Sequence, residues 1–129
     1  MSTATATTTD VMRETMRKAG RLTATKVTER DDGVTVMRYH DTDVVLVKRD
    51  AFVLQTGGYA TVTTKRRMNQ CMAPGWYVYQ HKGTWYLQGP SVDSEPVAFD
   101  RSIMVTFRDD GDGCVVRSDI GRAAWRGWL

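Results

Sequence analysis

Between Ala51 and Val92 the chain has no aspartate and no glutamate for forty-two residues. All fifteen carboxylates lie outside that stretch, so it carries +4 and the remainder −1 of the net +3. Other absences exclude whole classes of protein. No apolar run approaches the roughly 20 residues that span a bilayer, so no membrane partner is expected. Met1 to Thr9 has neither a cationic n-region nor an apolar h-region and reads as a disordered leader (1–9), not a secretory signal. The remaining 10–129 is the length of one domain. Cys71 and Cys114 are too few and too far apart to frame a disulfide scaffold, and neither belongs to a metal-type pair. Two buried free thiols in a reducing compartment are the expectation.

Catalytic signatures are missing as well. No Ser-His-Asp, Cys-His or paired-carboxylate arrangement is legible, and the acid-free centre leaves few general bases. The spacing GxxxxGK[ST] of a Walker loop is absent, and so is a Rossmann fingerprint. His40, Asp41 and Asp43 do not make a metal site, because strand alternation sets His40 opposite the two carboxylates. RDDGDG at 108–113 lacks the glutamate and flanking helices of a calcium loop and reads as a hairpin turn. The expectation is a protein with no enzyme activity, no cofactor and no bound metal.

The acid-free stretch is rich in cations and rings. It holds Lys65, Arg66, Arg67 and Lys82, and six of the nine Trp and Tyr residues: Tyr59, Trp76, Tyr77, Tyr79, Trp85 and Tyr86. A surface of this composition suits a phosphate backbone or a flat base.

Periodicity predicts an α+β fold of antiparallel meanders and hairpins. A helix starts at Asp10, with Val11, Met12, Thr15, Met16 and Ala19 on one stripe, and stops at Gly20. Strands are expected over Leu22 to Glu29, Val34 to His40, Asp43 to Lys48 and Ala51 to Gln55. After the Gly57-Gly58 turn comes a short central helix capped by Thr63 or Thr64, with Met68, Cys71 and Met72 on one face. Trp76 to Gln80 and Thr84 to Gln88 form a hairpin around His81-Lys82-Gly83. The segment Gly89 to Asp100 is looser. A second hairpin joins Ser102 to Phe107 with Cys114 to Arg117. Gly121, Ala124, Trp125 and Trp128 predict a short C-terminal amphipathic helix that docks on its own sheet or anchors a partner.

A three-residue loop at 81–83 would pair Tyr79 with Trp85 and Val78 with Tyr86. Tyr77, Tyr79, Trp85 and Leu87 would then face the core. Trp76, Val78, Gln80, Thr84, Tyr86 and Gln88 would make a stacking platform edged by amides, or a second covered face.

At the central helix, free N–H groups and the dipole favour an anion near Thr63 and Thr64. Lys65, Arg66 and Arg67 add charge and are expected to be exposed, because no acid nearby could pair them. The plainer reading is a simple cap, a simple turn and solvated cations.

The segments YHDTDVV (Tyr39 to Val45) and GGYATVTTKRRMNQ (Gly57 to Gln70) resemble a recurring set of small bacteriophage-encoded proteins. These share a Tyr-His-x-Thr pair of strands, a Gly-Gly-aromatic turn and a Thr-Thr-Lys-x-Arg-Met-Asn run. The resemblance covers about a quarter of the chain, Tyr39 to Gln70, and Tyr59-Ala60 stands where the set has Trp-Arg. It implies a phage accessory role in the cytoplasm of a bacterial host. The ligand expected is nucleic acid or a phosphate-bearing nucleotide. Thr63, Thr64, Lys65, Arg66, Arg67 and Lys82 would take phosphate, with Trp76, Gln80 and Tyr86 against the base. The alternative is a protein–protein inhibitor of a host enzyme or defence complex.

Overall fold

In the computed structural model, which describes residues 7–57, 61–90, 94–108 and 114–119, the chain starts with a reciprocal helix cap. The Thr7 hydroxyl accepts from the Asp10 N–H at 3.1 Å, and the Thr7 N–H donates to the Asp10 carboxylate at 3.4 Å. Helix α1 therefore spans Thr8–Ala19, starting two residues before the expected Asp10, which takes the third helical position of the capping box. Thr9, Met12, Met16 and Ala19 recur every three or four residues and are buried as one face.

Among the described residues nine strands follow: β1 (Thr25–Glu29), β2 (Thr35–Tyr39), β3 (Thr42–Lys48), β4 (Ala51–Gln55), β5 (Tyr77–His81), β6 (Thr84–Gln88), β7 (Val97–Phe99), β8 (Ser102–Phe107) and β9 (Cys114–Ser118). Helix α2, Val62–Gln70, lies between β4 and β5. The expected α+β class needs correcting. Among the described residues the protein is mostly β, with two antiparallel sheets and two helices. The larger sheet runs β1-β2-β3-β4-β8-β9 and the smaller β5-β6-β7. In the larger sheet β1 to β4 form a continuous meander. The chain then leaves the sheet, builds the second one, and returns with β8 beside β4. The expected C-terminal helix lies outside the described residues.

The continuous apolar runs Val44–Val47 and Ala51–Leu54 fit strands covered on both faces. One face joins the main core, with Met12, Met16, Met37, Phe52, Leu54, Met68 and Ile103. Val34, Val36, Leu46 and Val53 form a separate buried cluster. The two sheets share an aromatic junction. Trp76 stands edge-on to Phe52 at 5.5 Å (89°) and to Phe107 at 6.0 Å (84°).

The β5–β6 register differs from expectation by one residue. His81 pairs with Thr84, Gln80 with Trp85, Tyr79 with Tyr86 and Val78 with Leu87. The loop is the two residues Lys82 and Gly83, with φ of 51° and 83°, the left-handed pair that matches strand twist in a tight hairpin. Shortening the loop by one residue exchanges which side chains share a face.

Asp119 ties the end of β9 to the β7–β8 turn. Its carboxylate accepts from the N–H groups of Asp100, Arg101 and Ser102, the shortest at 2.7 Å. Partial burial pushes the Asp119 pKa up, but the three N–H donors together outweigh it and hold it below the ordinary 3.8. A carboxyl with a depressed native pKa stabilises the fold above its unfolded pKa and loses that contribution as pH falls through the native one. Asp119→Ala is therefore expected to cost roughly 1–2 kcal/mol at neutral pH, a modest figure because solvent reaches the group. Urea melts should show the wild-type and variant midpoints converging as pH drops below 3.8. A pH-independent gap would exclude this role for the carboxylate.

Candidate functional site

Tight turns bring the two segments that resemble phage proteins to one place. His40 and Asp41 form the two-residue turn between β2 and β3, with His40 at φ 53° and Tyr39 opposite Thr42. Past β4, Gly57 at φ 63° brings the backbone against Thr42, whose Cγ2 lies only 2.8 Å from where a Cβ would stand. A side chain there would meet Thr42 and strain the backbone, so glycine suits the position. The chain then enters α2 through Thr61. Its hydroxyl accepts from the Thr64 N–H at 3.1 Å and lies 3.0 Å from the Thr64 hydroxyl. The cap is thus Thr61, not Thr63 or Thr64 as the sequence suggested.

These turns enclose a pocket of about 530 Å³. Tyr39, His40, Asp41, Thr42 and Val44 line one side, and Thr56, Thr61, Thr63 and Thr64 the other. Among the described lining residues Asp41 is the only carboxylate, and there is no Lys or Arg. That composition does not fit a phosphate site built on Thr63 and Thr64.

The expected cation cluster is divided. Arg67 is only 9% exposed, which corrects its expected exposure. Its guanidinium lies 5.5 Å from the Tyr39 ring centroid, its Nε donates to Thr25 Oγ1 at 3.0 Å, and a terminal nitrogen donates to Gln70 at 3.1 Å. A ring and two neutral oxygens replace the carboxylate that burial of a cation usually requires. Lys65 is half-buried, 5.6 Å from the Trp85 ring centroid, and donates to Gln80 at 3.3 Å, clipping α2 to the hairpin. Arg66 and Lys82 are exposed. Among the described residues, the ion pairs of 4.0 Å or less involve none of these four.

The aromatic residues are also redistributed. Trp76 is buried at the junction of the sheets and is no part of a platform. Trp85, Leu87 and Val78 face inward. Tyr77 and Tyr79, expected in the core, share the outer face with Tyr86. Tyr79 stacks on Tyr86 at 5.3 Å (19°), and Tyr77 lies 5.7 Å from Tyr79 (38°). His81, Thr84 and Gln88 alternate onto the same side. Of the nine residues singled out from sequence, Thr63 and Thr64 line the pocket and Tyr86 belongs to this tyrosine ladder. Lys65 and Gln80 form the clip, Arg67 and Trp76 are interior, and Arg66 and Lys82 stand apart on the surface. The sequence reading missed Tyr39 to Thr42 and Thr61 as pocket residues. The signal was the pairing of the Tyr-His-x-Thr and threonine-rich segments in the phage resemblance.

Neither cysteine is an activated nucleophile. Cys71 and Cys114 are free thiols. Burial pushes Cys71 up to about 12 against the opposing charge of Arg67, so it stays protonated, with its Sγ 3.4 Å from Met37 Sδ. Among the described residues no three His, Cys, Asp or Glu side chains gather where they could hold a metal. No described helix is long and apolar enough to cross a membrane. The RDDGDG loop falls mostly outside the described residues.

The Kyanoviridae Gp96 protein family model matches residues 3–109. No curated protein and no solved structure matches the chain. With most of its length matched, the chain belongs to the Kyanoviridae Gp96 family and is a small phage-encoded protein.

Proposed function

We propose that this member of the Kyanoviridae Gp96 family is a non-catalytic accessory protein that binds single-stranded nucleic acid across the outer face of its smaller sheet. The observation that carries this reading is the ladder of Tyr77, Tyr79 and Tyr86 on that face, with Tyr77 47% exposed. Successive bases stack on such rings whatever their identity, because every base has a π-face. The strands beneath, β5, β6 and β7, contain no carboxylate. Thr84, Gln88 and His81 supply hydrogen-bonding groups beside the rings. Lys82 at the hairpin tip and Arg66 on α2 are exposed cations available to phosphate.

Titration of a labelled single-stranded oligonucleotide at several salt concentrations tests the reading. Tyr79→Ala is expected to weaken binding by about 1–3 kcal/mol, roughly 5- to 150-fold, with the salt slope nearly unchanged, because stacking releases no counterions. Lys82→Ala should flatten the slope of log K against log salt by about 0.7, the share of one phosphate on a single strand. No measurable affinity of the wild-type protein at low salt for single-stranded DNA or RNA would end this proposal. Nuclease-insensitive capture of a host protein, abolished in Tyr79→Ala, would assign the tyrosine face to a protein partner instead.

A further inference from the structure

The threonine-lined pocket is a second site, remote in chemistry from the tyrosine ladder. Its volume, about 530 Å³, lies within the range of roughly 300–1,000 Å³ typical of small-molecule sites. What would fill it follows from what lines it. Among the described lining residues Asp41 is the only carboxylate and there is no Lys or Arg, so an anion would lose its hydration beside a carboxylate with little to compensate it. Arg67, whose guanidinium packs against the Tyr39 ring, is already bound to Thr25 and Gln70. Arg38 feels the charge of Asp41 but donates to Asp43 at 2.9 Å. The lining therefore disfavours an anion and calls for a ligand that brings hydrogen-bond donors.

The polar groups left over narrow the class. The Thr42 and Thr63 hydroxyls make no hydrogen bond among the described residues, and each can donate one and accept two. The Asp41 carboxylate accepts, so it suits a ligand with O–H or N–H donors. Val44, the Tyr39 ring and the threonine methyl groups make the remaining wall apolar, which suits the C–H face of a small ring. Tyr39 is held from behind by Arg67 and from the side by His40, whose ring centroid is 4.4 Å away. Its position is thus set before any ligand arrives.

We propose that this pocket binds a neutral vicinal diol on a ring, a simple furanoside or the ribose of a ribonucleoside, with Asp41 accepting from the hydroxyls and Thr42 and Thr63 completing the hydrogen bonds. Carboxylate recognition of ribose hydroxyls has a well-known physical basis in the dinucleotide folds. This site is independent of strand binding on the tyrosine face.

The experiment is calorimetric titration of the full chain with adenosine, 2′-deoxyadenosine, methyl ribofuranoside and inorganic phosphate. Adenosine is expected to saturate one site, and 2′-deoxyadenosine to bind about 10- to 100-fold more weakly through loss of a hydrogen bond to a charged group. Methyl ribofuranoside binding as tightly as adenosine identifies the sugar alone as the ligand. Much tighter binding of adenosine identifies a nucleoside. Asp41→Asn and Thr63→Val should each weaken the bound ligand about tenfold, since both positions are at the pocket wall and neither substitution changes side-chain size. Tyr79→Ala should leave diol binding unchanged, so failure here and failure of strand binding are read separately. The proposal is overturned if no diol binds, if 2′-deoxyadenosine matches adenosine, if phosphate displaces adenosine, or if both pocket variants bind like the wild type.

Discussion

Replacing Phe52 with Ala is expected to lower unfolding stability by about 3–5 kcal/mol, the usual cost of truncating a fully buried phenylalanine. Phe52 is completely buried on β4. It touches both other rings of the aromatic junction, Trp76 at 5.5 Å and Phe107 at 6.0 Å. Trp76 leads into the smaller sheet, so the cavity would lie where the two sheets meet. Domains of this size are stable by roughly 5–15 kcal/mol, so the change removes a large share of the total. Urea denaturation should show a lower midpoint at an unchanged slope. Val115→Ala on the exposed side of β9 is the control, expected within about 0.5 kcal/mol of wild type. If Phe52→Ala costs no more than Val115→Ala, the junction does not hold the sheets together.

Asn69→Ala should cost roughly 2–3 kcal/mol, more than an ordinary helix-surface change. The Asn69 amide donates to the Val78 carbonyl at 2.8 Å, and its oxygen accepts from the Val78 N–H at 2.6 Å. One side chain thus completes both outward-facing backbone groups in the middle of β5, an edge strand of the smaller sheet. The device joins α2 to the sheet and blunts an edge that would otherwise be open to strand pairing. Hydrogen exchange at the Val78 amide should speed up in the variant while that of Phe52 in β4 is little changed. Asn69→Asp is expected to be nearly as harmful. It keeps the acceptor but sets a carboxylate against the Val78 carbonyl. Full Val78 protection in Asn69→Ala would exclude the clamp.

Much of the local structure was legible because its signals are local. The stripe of Met12, Met16 and Ala19 gives α1, and Ala51–Gln55, Thr84–Gln88 and Ser102–Phe107 are strands with the expected limits. The start of α1 was missed because Thr7, Thr8 and Thr9 look like a polar leader until Asp10 closes the capping box. Strand β7 was missed because Val97–Phe99 is too short to show alternation. The hairpin register went astray at Lys82, whose left-handed φ of 51° a lysine does not advertise. That single residue decided whether Tyr77 and Tyr79 faced solvent or core.

The candidate sites divide the same way. The sequence alone determined that the acid-free stretch would be rich in rings and cations, and that two phage-like segments flank β4. Only the tertiary structure decided what those groups face. The Arg67 guanidinium packs against the Tyr39 ring and is taken up by Thr25 and Gln70. Trp76 follows the Pro74-Gly75 turn into the junction with Phe52, while Tyr86 is left outside. Tyr39 to Thr42 line one pocket with Thr61, Thr63 and Thr64, where Gly57 brings the backbone against Thr42. Composition and periodicity are properties of neighbours along the chain. The partner of a cation or a ring is set by strand pairing between distant segments, which no local pattern encodes.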